Sequence, residues 1–347
     1  MRLDAVKLAL PSRRVTNDDV VDLIRCHSTD SYDGNLGRLM DGVRTLLRRS
    51  GANERFWLSP QDEVTKLIAS AVQKAVAAAG IDTADLDVLI CAGVDRGFAE
   101  PATAYLVAQA CDLGNISCFD VADACNGWTR AIQIVDAMFR GGVYRRALIV
   151  NAEFPMVAGG AIYPGLFSLR HRGQLAWSFA GFTLGEGVTA TIVSAHPNNQ
   201  WEFHFSSRPD LADQSTVPLV GYQRYCRPSE RIGINGIGRF AAFSGAMFAE
   251  AVGEIQSVFR RLTVPIGDVR AIFPHGATKR TWDLGAEPLG VRDRLYHVYP
   301  RFGNLISASI PAGLATAIDE GILRRGDRAI VCGASAGMSF SACSFVY

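Results

Sequence analysis

The stretch CFDVADACNGWTRAIQIVDAMFRGGVYRRALIVNAE, residues 118–153, decides how this chain reads. Residues 118–122 read as a strand. From 126 to 140, Trp128, Ala131, Ile132, Val135, Ala137, Met138 and Phe139 recur at three- and four-residue spacing, which predicts a helix of about four turns. Glycines and arginines then stop it, and 147–150 predicts a second buried strand. Cys125 falls at the joint between strand and helix. Unpaired N–H groups at a helix start favour an anion. They can lower a cysteine toward a pKa of ~7 or below, where the thiolate is nucleophilic. On these residues alone, Cys125 reads either as such a nucleophile or as a small buried filler.

A second stretch repeats the layout. DLDVLICAG (85–93) precedes the first unit, and DVRAIFPHG (268–276) precedes YPRFGNLISASIPAGLATAIDEGILRRGDRAIVCGAS (299–335). Strand, small-residue turn, helix, glycine with arginines, and second strand recur in that order, the last at 329–331. Such units imply parallel pairing with helices over the sheet. We therefore expect two related α/β halves, 1–194 and 195–347, with a seam in the polar SAHPNNQWEF (194–203). Residues 155–181, rich in glycine and aromatics, read as a substrate-lining insertion in the first half. His275 follows a strand in the second half, and Asn304 occupies the turn comparable to that of Cys125. If a pseudo-twofold relates the halves, all three face one centre.

Composition narrows the function classes. The 347 residues are 48% hydrophobic and 20% charged, with a formal net charge of +1. That balance suits a soluble enzyme and gives no electrostatic footprint for nucleic acid. The beginning lacks the apolar core of a secretory signal, and no apolar run is long enough to span a bilayer. A cytoplasmic location without membrane association is expected. Eight cysteines in a chain of this length point to free thiols, and no ligand-spaced Cys or His pair predicts a metal.

These segments resemble the β-ketoacyl synthase III family of thiolase-fold condensing enzymes. FDVADACNGW resembles its nucleophile segment, and FPHGATKR its histidine segment. RFGNLISASIPAGLATAIDEG resembles its asparagine segment. LGEGVTATIV (184–193), SGANERFWLSPQDEV (50–64) and AEPATAYLVAQACDLG (99–114) match further motifs in order. The resemblance implies a duplicated α/β fold with five layers, α-β-α-β-α. It implies that Cys125 takes an acyl group from a thioester, and that His275 and Asn304 stabilise the enolate formed when a malonyl thioester loses CO2. The amides of Cys125 and Gly337 would form the oxyanion hole. Arg49, Arg172, Lys279 and Arg280 are candidates for contact with CoA or an acidic acyl carrier protein. Glu100 falls where relatives reach across a homodimer into the partner's acyl pocket; pairing with Arg96 is the other reading. No cofactor is implied beyond CoA or phosphopantetheine thioesters as substrates.

The sequence departs from the family pattern at Gly276, Thr278 and Gly245, at Thr45, and in the loop ASAG (334–337). These departures favour polyketide, specialised-metabolite or alternative-primer synthesis over ordinary fatty-acid initiation. Three other readings compete. The first is an acyltransferase to a hydroxyl or amine without decarboxylation. The second is a thiolase using Cys332 as acid/base. The third is a partner subunit without chemistry.

Overall fold

The computed structural model describes residues 1–198 and 200–347. The strands of its two main sheets are β1 (Arg2–Ala9), β2 (Val88–Ala92), β3 (Ser117–Val121), β4 (Arg146–Glu153), β5 (Gly187–Ser194), β6 (Glu202–Ser207), β7 (Val269–Pro274), β8 (Arg328–Ser335) and β9 (Ser339–Val346). The helices used below are α1 (Asn17–Ser28), α2 (Leu36–Ser50), α3 (Val64–Ala79), α4 (Thr103–Ala110), α5 (Gly127–Arg140), α6 (Ser244–Phe259), α7 (Lys279–Ala286) and α8 (Ser309–Asp319).

Two sheets organise the chain. The first has the order β1-β5-β4-β2-β3 and the second β7-β8-β9-β6. β2 runs parallel to both β3 and β4, and β7 runs parallel to β8. The strand before the cysteine turn and the strand after its helix are thus not neighbours; β2 lies between them. β5 closes against β4 antiparallel, and β9 closes against β8 likewise.

The pleat sends alternate side chains to opposite faces. Ile90 and Ala92 face inward with Trp128, Ile132, Leu314, Phe273 and Val331. Leu89 and Cys91 face outward against α3 and α4. In the second sheet, Ile330 and Cys332 face outward against Ile255, Val258 and Trp282 of α6 and α7. The layers are therefore α3/α4, first sheet, α5/α8, second sheet, α6/α7.

Helix α8 is buried on nearly every side. That follows from its place between two sheets, where Ala312, Gly313 and Ala315 let both approach and no polar face is needed. Helix α5 buries Trp128, Ala131, Ile132 and Val135 as its spacing predicts, but Ala137 is exposed and Asp136 lies on the buried side. Asp136 is tolerated there because Arg140 Nε reaches it at 2.7 Å. The Trp128 indole donates to Thr191 Oγ1 on β5 at 2.9 Å, so its buried N–H is satisfied.

Residues 155–181 are more core than the sequence suggests. Ile162, Leu166, Phe167 and Leu169 pack with α1 and α2 in a cluster that Cys125 borders. Among the described residues no helix is long and apolar enough to cross a membrane.

Candidate active site

The cysteine turn is strained and braced. After β3 the chain makes a short 3-10 turn, Ala124–Asn126, before α5 begins. Ala124 has φ 42°, the left-handed region that costs an L-residue roughly 1–2 kcal/mol. Such strain persists only where the surroundings enforce it. Here they come from the second half. Ser335 Oγ donates to the Asp123 carbonyl and Ser339 Oγ to Asp123 Oδ1, both at 3.0 Å. Asn126 Nδ2 donates to Ser339 Oγ and Asn126 Oδ1 accepts from Ser341 Oγ, both at 2.9 Å.

Gly333 makes room for that carboxamide. A Cβ at this position would lie 1.9 Å from Asn126 Oδ1 and 2.6 Å from Ser341 Oγ. Gly333→Ala is therefore expected to cost about 1–3 kcal/mol of stability by overpacking. Urea unfolding measures it, and an unchanged midpoint would show that the Asn126 brace is dispensable.

The thiol itself departs from the expectation of a lowered pKa. Its burial, first, and then the charges of Glu153 and Asp123 push Cys125 up to about 12, while its own amide and the Ser335 hydroxyl pull the other way. Desolvation and two carboxylates outweigh the half-charge of a helix start. Cys125 thus rests as a thiol. Alkylation by iodoacetamide should rise about tenfold per pH unit from ~7 to ~10, because only the thiolate reacts. A plateau below pH ~9 would contradict this.

Asn304 sits in the comparable turn of the second half. Its amide donates to the Thr183 carbonyl at 2.9 Å and its carbonyl accepts from Gly185 at 3.0 Å. Gly303, at φ 66°, permits this approach: a Cβ there would lie 2.4 Å from the Thr183 carbonyl oxygen. Arg55, from the SGANERFW motif, is fully buried beneath this loop and grips Asn17 Oδ1 with both terminal nitrogens. Asn304 Oδ1 accepts from the Ile306 amide at 2.8 Å. With the oxygen occupied, the carboxamide N–H groups are the ones left to offer. Ile306 has φ 53°, so this turn carries left-handed strain just as the cysteine turn does.

His275 follows β7. Its amide donates to the Cys332 carbonyl on β8 at 2.8 Å. The ring is buried and Nδ1 has no partner among the described residues. Burial lowers its pKa to about 4, so it is neutral at neutral pH. The 124–126 turn packs on the 306–308 turn next to Asn304 and on β8, the strand to which His275 is hydrogen-bonded.

Other candidates fare differently. Thr278 Oγ1 bonds to the Ser50 carbonyl at 3.3 Å and ties the start of α7 to the end of α2. Arg49, Lys279, Arg280 and Arg292 consequently line one cleft of about 210 Å³. Lys279 is committed to Asp283 at 2.5 Å, whereas Arg49 and Arg280 have no ion pair among the described residues. Arg172 is exposed on its own short turn and does not line this cleft. Glu100 is exposed, and no ion pair joins it to Arg96 among the described residues. Gly337, at φ 120°, lies in the β8–β9 turn whose Ser335 and Ser339 grip Asp123. Cys332 faces the outer layer beside α6, and burial raises it to about 12. It is turned away from Cys125, which removes the thiolase reading.

Sequence reasoning missed Ser335, Ser339, Ser341, Ser307 and Glu153. The serines carry no local signal, because each acts on a partner more than 150 residues away. Glu153 ends a strand read as plain core, yet it is fully buried with a pKa raised to about 7 by burial.

Comparison with known proteins bears on the fold and on the family that the chain resembles. Residues 259–347 match the family model of the 3-oxoacyl-[acyl-carrier-protein] synthase III C-terminal region, and residues 119–155 match the model of 3-oxoacyl-[acyl-carrier-protein] synthase III. β-Ketoacyl-[acyl-carrier-protein] synthase III of Sphingopyxis alaskensis is 25% identical, over 96% of this chain and 95% of the relative. The enzyme of that name from Clostridium perfringens is 27% identical, over 83% of this chain and 86% of the relative. Among solved structures, 3-oxoacyl-[acyl-carrier-protein] synthase III of Aquifex aeolicus superposes with TM-score 0.80 at 21% identity, covering 100% and 99% of the two chains. A cysteine-to-serine variant of Xanthomonas campestris OleA, with bound lauric acid and lauroyl-CoA, gives 0.83 at 18% identity, covering 99% and 98%. With two layered sheets and a strained cysteine turn, the chain has the thiolase fold and is similar, in its family-model matches and over most of its length, to β-ketoacyl-[acyl-carrier-protein] synthase III.

Proposed function

We propose that the protein joins an acyl group to a malonyl unit through Cys125. The sulfur attacks a thioester carbon, the thioester C–S bond breaks, and the thiol proton leaves with the departing CoA or carrier thiol. A malonyl thioester then loses CO2, and its electron pair moves onto the enolate oxygen. Asn304 and His275 donate hydrogen bonds to that oxygen. The enolate carbon attacks the acyl-cysteine, releasing the sulfur and a β-ketoacyl thioester.

The observation that carries this reading is the pair of neutral groups, a carboxamide whose oxygen is already engaged and an imidazole kept uncharged by burial. Asparagine cannot serve as the base that an alcohol or amine acceptor needs, but it is a good donor. The apolar cluster bordering Cys125 and the lauroyl-CoA held by OleA support a fatty acyl thioester as donor. The Arg49/Arg280 cleft supports a phosphate-bearing carrier, either CoA or the prosthetic arm of an acyl carrier protein. The departures at Gly276 and Thr278 fit a specialised or alternative-primer product.

We further propose a homodimer. β3 is an open sheet edge, and Phe98 and Tyr105 beside it are 55% and 54% exposed. In such a dimer Glu100 would reach the neighbouring acyl pocket.

Intact-protein mass spectrometry with a panel of acyl-CoAs and acyl-carriers, combined with CO2 release from malonyl thioesters, tests the reaction. Acyl mass on Cys125 together with CO2 release is expected. Acyl mass without CO2 would favour the non-decarboxylating acyltransferase, and no acyl mass would remove both.

A further inference from the structure

Glu153 is an acidic side chain that the proposed chemistry does not use. It ends β4 with no exposed surface. Its Oε1 accepts the Val94 amide at 3.1 Å, the Ser307 amide at 3.3 Å and the Ser307 hydroxyl at 2.5 Å. Its Oε2 accepts the Asp95 amide at 3.1 Å. The Ser307 oxygen also accepts from Asn151 Nδ2 at 3.1 Å. Three backbone amides therefore point at one carboxyl group, from the turn after β2 in the first half and the 306–308 turn in the second, joined by the Ser307 hydroxyl, whose single proton the Ala92 carbonyl also faces at 2.9 Å. The chemistry of this cage demands an acceptor at both oxygens. A glutamine would bring N–H groups to face N–H groups.

Ile306 lies between Ser307 and Asn304. Its amide is the group that occupies Asn304 Oδ1, and its left-handed backbone needs an anchor on each side. On the Asn304 side the anchor is the pairing with Thr183 and Gly185; on the other side it is Glu153. We infer that Glu153 is a positioning residue whose carboxyl group clamps the Asn304 turn to the half carrying Cys125 and thereby aims the Asn304 amide. Asn126 performs the converse task, pinning the Cys125 turn to serines of the second half. The two halves thus brace each other's turns.

The inference rests on the proposed condensation for its catalytic consequence but not for the clamp itself. The experiment therefore has two arms, applied to Glu153→Gln and to the milder Ser307→Ala. Amide hydrogen exchange across residues 304–308 should accelerate by about tenfold or more in Glu153→Gln, and less in Ser307→Ala. CO2 release from a malonyl thioester should fall roughly ten- to a hundredfold, as expected for displacement of a donor by less than about 1 Å, while acyl loading of Cys125 stays within about twofold in Ser307→Ala and does not fall in Glu153→Gln, where loss of the carboxylate beside the thiol favours the thiolate. Unchanged exchange in both variants would overturn the clamp. Equal loss of loading and decarboxylation would overturn the positioning role and leave a merely structural one. A wild-type protein lacking both half-reactions would sink the synthase reading, and the exchange arm would still decide the clamp.

Discussion

Replacing Cys125 with alanine is expected to abolish the acyl-enzyme and lower turnover by about 10⁴-fold or more, because no other group can form the covalent intermediate. None of the other seven cysteines can stand in. Cys91, Cys332 and Cys343 are buried in the core, and Cys111 lies on the outer helical layer. Cys26 and Cys226 are exposed on the surface, and Cys118 sits on β3 before the turn. The expected observation is a complete loss of acyl mass in intact-protein spectra, with the unfolding midpoint nearly unchanged. The fold should survive because the brace around the turn uses Asp123 and Asn126 rather than the thiol. Retained acylation in Cys125→Ala would overturn the mechanism. Residual CO2 release in that variant would not, since decarboxylation needs the donors and not the sulfur.

The second large effect belongs to those donors. Asn304→Ala should slow decarboxylation by ~10²–10³, the usual cost of one preorganised donor at a developing oxyanion. Acyl loading of Cys125 should fall far less, because Asn304 acts on the second substrate. His275→Ala should lower decarboxylation by a similar factor, and the double variant by less than the product of the two, since donors to one oxygen act as a unit. The pH dependence has a defined sign. The imidazole of His275 is held at about 4 by burial, so it stays neutral as pH falls from 8 to about 5 and becomes cationic only below that. The decarboxylation rate should therefore show no acid limb near pH 6.5 from this group. A limb at that pH which disappears in His275→Ala would contradict the neutral-donor assignment.

Much of this was legible in the chain because it is local. A helix face shows as spacing, and a strand before a turn shows as an apolar run, so the strand–turn–helix units and their repetition could be read directly. Cys125 and His275 could be placed at strand ends for the same reason, whereas Asn304 follows a short helix, Tyr299–Phe302, where the repeat pattern had a strand. The limits were equally physical. The spacing over residues 126–140 puts Ala137 inside and does not single out Asp136; only the packing of α5 between two sheets shows which face is covered.

What tertiary structure decided depends on solvation and on partners distant in sequence. A helix start beside Cys125 argued for a lowered pKa; burial and the carboxylates of Glu153 and Asp123 reverse the direction. Lys279 and Arg280 are adjacent in sequence, yet Asp283 takes up only the first, leaving Arg280 to share a cleft with Arg49. Cys332 stands near the right place along the chain but on the outward side of its strand, because the β8 pleat sends Val331 inward instead. Periodicity and motif thus determined the fold and singled out the three candidate side chains, since both depend on near neighbours. The charge state of those side chains and the bracing of their turns come from contacts across the two halves, which no local pattern encodes.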